Sequence, residues 1–435
     1  MFVTLQKIKV EFKNNLKSVF IRPQENFSQL DGLRAISIMM VIVFHCYFSL
    51  FSLLKKEKDQ LINFIDEMPG IFNWVWQGDK GVDIFFILSG FLIANKLFKE
   101  LDDQKTIKIQ RFYRERLLRI MPAYMLVILL TAATTNRDLV YLLANVLFIN
   151  NFLPLDKMFL RYTWTITVEM QFYFIMPFFI MLVFRRVRYK VWLLISMFFG
   201  ASLIRLIILL SEPMLFNTKF IEITLNGSKL FDRFAEALYG NFYTRFGPFI
   251  LGILVAYLYK YHRQKLTSLI RTYPGSYNFF VLISILLTIV SISIPYHNKL
   301  SVYNTYFSET GNLLLIALNR NVFSFGVVAL LLVSLFPTGN AKYIKTFFSA
   351  WIFYPIARVS YSMYLCQFPF IMLAAMIVQG DFDQGQFVAT LSFGKMALIS
   401  ILSILLTFLF SILTFAIIEA PFINIYKKPE PNCSV

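Results

Sequence analysis

Residues 30–54 read LDGLRAISIMMVIVFHCYFSLFSLL. From Ala35 to Leu54 the run is apolar apart from a few small hydroxyls and one histidine. That is close to the twenty or so residues a helix needs to cross a hydrocarbon core of about 30 Å. Inside lipid the backbone must satisfy its own N–H and C=O groups, so the run is expected to be a helix. Upstream lies a polar, basic segment with Lys7, Lys9, Lys13, Lys17 and Arg22, and the apolar run that follows it carries no small-residue cleavage site. It is therefore expected to be a retained first span rather than a signal peptide. Downstream the pattern recurs near 81–98, 120–134, 164–184, 191–211, 246–260, 276–295, 313–336, 358–378 and 395–418. With the first run this gives an all-α polytopic bundle of about ten spans. The composition excludes a water-soluble fold: 57% of residues are apolar and mean hydropathy is +0.62. Charged residues make up 15%, against about a quarter in soluble domains.

A net charge of +17 would fit a nucleic-acid partner if it were spread over a surface. It is instead gathered into alternate loops: Lys96 through Arg119, Arg185 through Lys190, and Lys260 through Arg271 are basic, whereas 296–312 and 379–394 are nearly free of Lys and Arg. This is the positive-inside bias, so both termini are expected in the cytoplasm and no nucleic-acid partner is needed. Residues 138–153 are too short to cross unaided and are expected to lie at the outer interface or re-enter it. The long outer loop 212–245 mixes both signs with aromatics and could shape a polar entrance; Asn226-Gly227-Ser228 within it matches a glycosylation acceptor only weakly. Cys46, Cys366 and Cys433 offer neither a disulfide framework nor zinc spacing, and no metal site is expected. There is no internal repeat or low-complexity tract. One membrane domain, 30–422, is expected between a basic segment, 1–29, and a tail, 423–435.

An ionisable side chain at the bilayer centre costs about 2.5–3.5 kcal/mol even on the lenient scale, so those inside spans are informative. They are Arg34, His45, Asp83, Glu169, Arg205 and Arg320. Arg34 and His45 are eleven residues apart, which is three turns plus about 20°, so they share one helical face with about 16 Å between them. Histidine accepts and returns a proton near neutral pH, as activation of a hydroxyl requires; a lone imidazole can equally be hydrogen-bonded between helices. Asp83 opens the second span in GVDIFFILSGFLI, either as a catalytic acid or as an anchor favoured by the helix dipole. The small residues Gly81, Ser89 and Gly90 suit close helix packing. Arg111, Arg114, Arg116 and Arg119 in FYRERLLRIMP form a guanidinium cluster that matches phosphate oxygens, or else grips lipid headgroups. Glu169, in WTITVEMQFY, needs a partner: it could orient His45 as a triad carboxylate does, or pair with an arginine.

In this order the stretches resemble the acyltransferase-3 family of membrane proteins. The matching features are Leu30-Asp31-Gly32-Leu33-Arg34 with ten residues between Arg34 and His45, GVDIFFILSGFLI, FYRERLLRIMP, WTITVEMQFY, Arg358-Val359-Ser360-Tyr361-Ser362-Met363-Tyr364-Leu365, and Ile418-Glu419-Ala420-Pro421-Phe422. The resemblance implies a helical bundle in which His45 and Arg34 are the core catalytic pair. Arg116 and Arg119 would serve an acyl-CoA donor, with Glu169 in the active centre. Asp83 completes the expected catalytic set, Arg111 and Arg114 the donor set, and Trp164, Tyr173 and Tyr361 are expected to bind substrate. Family members often carry a second histidine after the SYSLYL-like stretch, where this chain has Cys366-Gln367, and many carry an acidic residue soon after the first, where it has Tyr47-Phe48. The likeness is to the standalone form, without an appended hydrolase-like domain.

The expected activity is that of a multi-pass O-acyltransferase, specifically an O-acetyltransferase, of a bacterial inner membrane. It would move an acyl group from cytosolic acetyl-CoA, a co-substrate rather than a tightly bound cofactor, to a hydroxyl of a surface polysaccharide such as lipopolysaccharide or of its lipid-linked precursor. A glycan or lipid transporter using the same buried polar groups, and a cytosol-facing acyltransferase for a lipid or small metabolite, are the alternatives.

Overall fold

The computed structural model describes residues 2–23, 27–53, 57–135, 139–218, 220–225, 229–294, 308–380 and 391–427. Among them there is no strand. The helices that build the bundle are α1 (Phe2–Phe20), α2 (Gln29–Leu53), α3 (Gly81–Gln104), α4 (Ile109–Thr134), α5 (Trp164–Arg186), α6 (Lys190–Ser211), α7 (Gly247–Tyr261), α8 (Pro274–Ser293), α9 (Glu309–Leu335), α10 (Phe353–Gln379) and α11 (Phe393–Thr414). All but α1 and α7 belong to the nine helical runs among the described residues that are long and apolar enough to span a membrane. The 15 residues of α7 reach only about 22 Å at 1.5 Å per residue. It is a short apolar rod in the centre of the bundle, packed on α3, α6 and α9.

Burial follows from the solvent. Large apolar side chains such as Phe178, Leu182, Trp192, Leu203, Ile207, Ile289, Leu405 and Leu409 point outward, as a lipid-facing surface requires. Small residues line the seams, because helices in lipid gain most from close van der Waals approach. Ser400, Ser403, Thr407, Ser411 and Thr414 are all buried at spacings of three and four along α11. At the crossing of α3 and α7, a methyl added to Gly90 would overlap the Phe249 carbonyl, and one on Gly252 would overlap the Ile87 carbonyl. The small residues of GVDIFFILSGFLI therefore do form a packing face. Gly81 does the same against α2, where its carbonyl accepts from Ser37 Oγ at 2.5 Å.

Several elements depart from the expected bounds. The arginine cluster lies on the first turns of α4 rather than in a loop, because the run from Ile109 continues unbroken through Pro122 to Thr134. Residues before the second span form a 3-10 run, Gly70–Lys80, whose Gln77, Gly78, Asp79 and Lys80 are buried. The basic N-terminal segment is helical. In α1 the buried Asn15 and Val19 mark the face that docks on the bundle, while Lys7, Lys9, Lys13 and Lys17 lie on its open side. The apolar spacing Leu5, Ile8, Phe12, Leu16, Val19 carried that signal in the sequence. From 139 to 153 there is no helix of spanning length: the stretch gives a short helix, Leu139–Val146, and a 3-10 turn, Asn150–Phe152. The 212–245 stretch folds into short helices and a π turn, Ala235–Tyr239. The glycosylation match Asn226-Gly227-Ser228, most of 296–312 and 379–394, and the tail from 428 lie outside the described residues.

A second π turn, Phe415–Glu419, follows α11. Such a bulge displaces backbone carbonyls from the helical ladder, and Asn15 Nδ2 of α1 donates to the Ala416 carbonyl at 3.1 Å.

Candidate functional site

Helix α2 carries the two residues that the sequence placed on one face. His45 is half-buried, and its Nδ1 lies 2.8 Å from Gln367 Oε1 of α10. The ring packs on Phe368 at 4.9 Å and on Phe44 at 5.4 Å between centroids. Phe368 in turn meets Tyr162 at 4.8 Å. Among the described residues His45 Nε2 makes no hydrogen bond. The expected Glu169 contact is absent among the described residues: the side chain that meets the imidazole is the Gln367 amide.

The geometry of α10 explains how Gln367 gets there. Pro369 lies inside the helix; it has no N–H to give to the carbonyl four residues back, which is that of Leu365. Tyr162 Oη donates to that carbonyl instead, at 2.9 Å. Tyr364 Oη, which accepts from Thr165 at 2.6 Å, donates to the Tyr162 carbonyl. The entry to α5 and α10 are thus laced together beside His45.

Toward the basic end of α2 the polar groups become charged. Arg119, Asp31, Glu169 and Tyr173 all lie within electrostatic range of Arg34. Glu169 accepts hydrogen bonds from Ser89 of α3 and from Tyr173 Oη, one turn along its own helix. Arg116 stacks over Tyr173 at 5.6 Å and over Phe112 at 5.7 Å. Arg119 lies within range of Tyr361 and Glu419. Tyr361 Oη donates to the Ile120 carbonyl at 2.8 Å, and Ser362 donates to Glu419. Five helices, α2, α3, α4, α5 and α10, together with the π turn after α11, therefore converge on one lattice of alternating charge around Arg34.

The arginine cluster divides. Arg116 and Arg119 turn into this lattice, whereas Arg111 has a side chain 59% exposed and is paired with Glu115 at 3.1 Å. Glu115 also receives Lys96, and Arg114 is exposed. The split follows from the helix: positions 111 and 114 share one edge of α4, and 116 and 119 a face about 140° away.

Asp83 and Trp164 stand elsewhere. Asp83 is 1% exposed and ion-paired with Arg245 at 3.1 Å and Arg320 at 2.7 Å. Arg320 also meets Asp79. The Arg245 guanidinium is boxed by Trp164 at 5.2 Å, Tyr239 at 5.3 Å and Phe86 at 5.9 Å. Lys80 donates to the Ser291 carbonyl at 2.6 Å, and Arg205 to the carbonyls of Leu238 at 2.7 Å and Ile316 at 3.1 Å. With both carboxylate oxygens engaged by guanidinium groups, Asp83 ties α3 to α9 and to the short helix Phe242–Arg245.

Four participants escaped the sequence reading. Gln367 was noted only as a missing histidine, and Glu419 only as part of a terminal match. Ser89 reads in the sequence as a packing residue. Arg245 was lost in the 212–245 loop. The polarity of Gln367 inside an apolar span was the available signal.

A family model described as an acyltransferase domain matches residues 27–418. A protein of Staphylococcus aureus strain COL, named as a presumptive O-acetyltransferase, is 26% identical over 418 residues, covering 90% of this chain and 56% of the relative. The peptidoglycan O-acetyltransferase OatA of Listeria monocytogenes is 26% identical over 174 residues, 35% of this chain and 24% of the relative. The O-acetyltransferase OatA of Staphylococcus aureus strain NCTC 8325 is 27% identical over 198 residues, 41% of this chain and 28% of the relative. The chain spans about half the length of the first of these relatives. No solved structure matches it.

Proposed function

The chain belongs to the acyltransferase-3 family, and from that premise we propose that it is a membrane O-acetyltransferase moving acetyl from cytosolic acetyl-CoA to a hydroxyl of a cell-envelope glycan. The observation that carries this is the arrangement on α2. One turn-aligned face bears a charged lattice at Arg34 and, about 16 Å along the axis, an imidazole oriented by Gln367.

The chemistry has one proton to move and one bond to exchange. His45 Nε2 takes the proton of the acceptor hydroxyl as the oxygen attacks the thioester carbonyl. The developing oxyanion is stabilised by a donor aimed at it, a cationic side chain or a helix N–H group. When the C–S bond breaks, the thiolate of coenzyme A recovers the proton from the imidazolium. Arg116, Arg119 and Arg34 offer the phosphates and carbonyls of the donor fixed cations that are already held by Tyr173, Glu169 and Glu419. Tyr173 and Tyr361 lie in this lattice, and Tyr162 and Phe368 beside the imidazole are suited to a sugar face.

The donor would enter from the side on which Lys and Arg concentrate; the positive-inside bias supports reading that side, with both termini, as the cytoplasmic face of a bacterial inner (cytoplasmic) membrane. A peptidoglycan acceptor is the activity named for the Listeria relative; other envelope polysaccharides share the same hydroxyl chemistry.

The test is purified protein in vesicles with radiolabelled acetyl-CoA and an isolated cell-wall glycan. Label is expected in the glycan as a base-labile ester, falling about 10²–10⁴-fold in His45→Ala. Undiminished transfer in His45→Ala, or glycan crossing the vesicle without gaining label, overturns the proposal.

A further inference from the structure

We propose that Gln367 is the positioning residue of His45: it holds the imidazole in the Nδ1–H tautomer and leaves the Nε2 lone pair as the only basic site of the ring. The tautomer rests on geometry alone; its use in taking a hydroxyl proton rests on the acyl-transfer function proposed above.

The amide can be oriented in one way only. Gln367 is fully buried, and one end of its amide lies 2.9 Å from the Tyr364 carbonyl. A carbonyl oxygen cannot donate to a carbonyl, so that end is Nε2. The other end is then Oε1, an acceptor with no hydrogen to give, and it faces His45 Nδ1 at 2.8 Å. A neutral imidazole carries one N–H. Here it must sit on Nδ1, since the opposite tautomer would set two lone pairs against each other. The partner of one ring nitrogen thereby decides the state of the other.

The neighbours make the arrangement stiff. Phe368 and Phe44 flank the ring at 4.9 and 5.4 Å. Gln367 itself lies between Leu365, whose carbonyl is capped by Tyr162 at 2.9 Å, and Pro369. The amide also has a chemical consequence that a carboxylate or a second imidazole would not have. It neither charges nor accepts a proton, so a proton taken at Nε2 has no second acceptor through Nδ1 and must leave by Nε2 again. That is the return path the thiolate leaving group needs.

His45 can be observed without an assay, since the chain has only two other histidines, His262 and His297. In ¹⁵N-histidine-labelled His262→Gln/His297→Gln protein in lipid nanodiscs, near neutral pH, the expected spectrum has Nδ1 in the pyrrole-type range and Nε2 in the pyridine-type range. Gln367→Met, similar in length but without an acceptor, is expected to lose that fixed pattern and to lower kcat about 10–100-fold, on the scale of other histidine-orienting partners, with KM for acetyl-CoA unchanged within about twofold. Gln367→Glu keeps an acceptor oxygen and is expected to restore the Nδ1–H signature. An Nε2–H tautomer in the parent overturns the proposal, and so does a Gln367→Met protein whose nitrogen signals and kcat match the parent's. Should Gln367→Met fail to fold, the parent spectrum still decides the tautomer. Full transfer by His45→Ala sinks the enzymatic function while the spectrum continues to judge Gln367; an inactive His45→Ala beside an unaffected Gln367→Met sinks the positioning role alone.

Discussion

The Tyr162 hydroxyl donates to the Leu365 carbonyl at 2.9 Å across 203 positions of sequence. The bond exists because Pro369 withholds the N–H that would otherwise fill that acceptor. A missing backbone hydrogen bond and a distant tyrosine are thus one device, and it fixes the segment that presents Gln367 to His45.

Tyr162→Phe removes the donor and leaves a carbonyl unsatisfied within the bundle. A loss of about 1–3 kcal/mol is expected, read as a lower unfolding midpoint in detergent. In a Pro369→Ala background, where the helix supplies its own N–H, the same substitution should cost less. Equal costs in the two backgrounds would show that proline and tyrosine are not coupled.

The four arginines of α4 should separate in kinetics. Arg116→Ala and Arg119→Ala are expected to raise KM for acetyl-CoA about tenfold or more, the scale of a lost charge-assisted hydrogen bond. Arg111→Ala and Arg114→Ala, on the exposed edge of the helix, should change it less than about threefold. Four equal effects would mean that the cluster serves lipid headgroups rather than a donor.

Asp83→Asn distinguishes a structural carboxylate from a catalytic one. Removing the charge leaves Arg245 and Arg320 without one of their counter-ions, and breaking a buried pair from one side costs about 3–5 kcal/mol. The yield of folded protein and total activity should fall together, while the surviving protein keeps its specific activity. A fully folded, inactive Asp83→Asn would return Asp83 to the catalytic set.

Gly90→Ala drives a methyl into the Phe249 carbonyl, and only movement of α7 can relieve it. Overpacking of this kind costs about 1–3 kcal/mol. Gly200→Ala is the control, because nothing lies within reach of its added methyl. Thermal melts of the two proteins should differ by several degrees; matching melts would mean that α3 and α7 separate easily.

The architecture was legible because it depends on sums over long windows. Twenty apolar residues in a row mean a span whichever neighbours they meet, and the Arg34 and His45 register follows from helix geometry alone. The same arithmetic does not reach α1, whose amphipathic spacing is diluted by lysines, and it sets the arginines in a loop because a charge cluster reads as the end of a span.

Partnership was another matter. In the sequence Glu169 is open between orienting His45 and pairing with an arginine; in the fold it bonds to Ser89 and Tyr173 and lies within range of Arg34. Asp83 was a candidate acid, yet two guanidinium groups hold it in place.

The sequence by itself determined that this chain is a helical membrane protein, which residues share a face of α2, and which family it resembles, since periodicity and composition are local. Only the tertiary structure decided that the imidazole is answered by an amide and that the carboxylates answer arginines. Those pairings join residues tens to hundreds of positions apart, and in an apolar interior a polar group's partner is set by which helices meet.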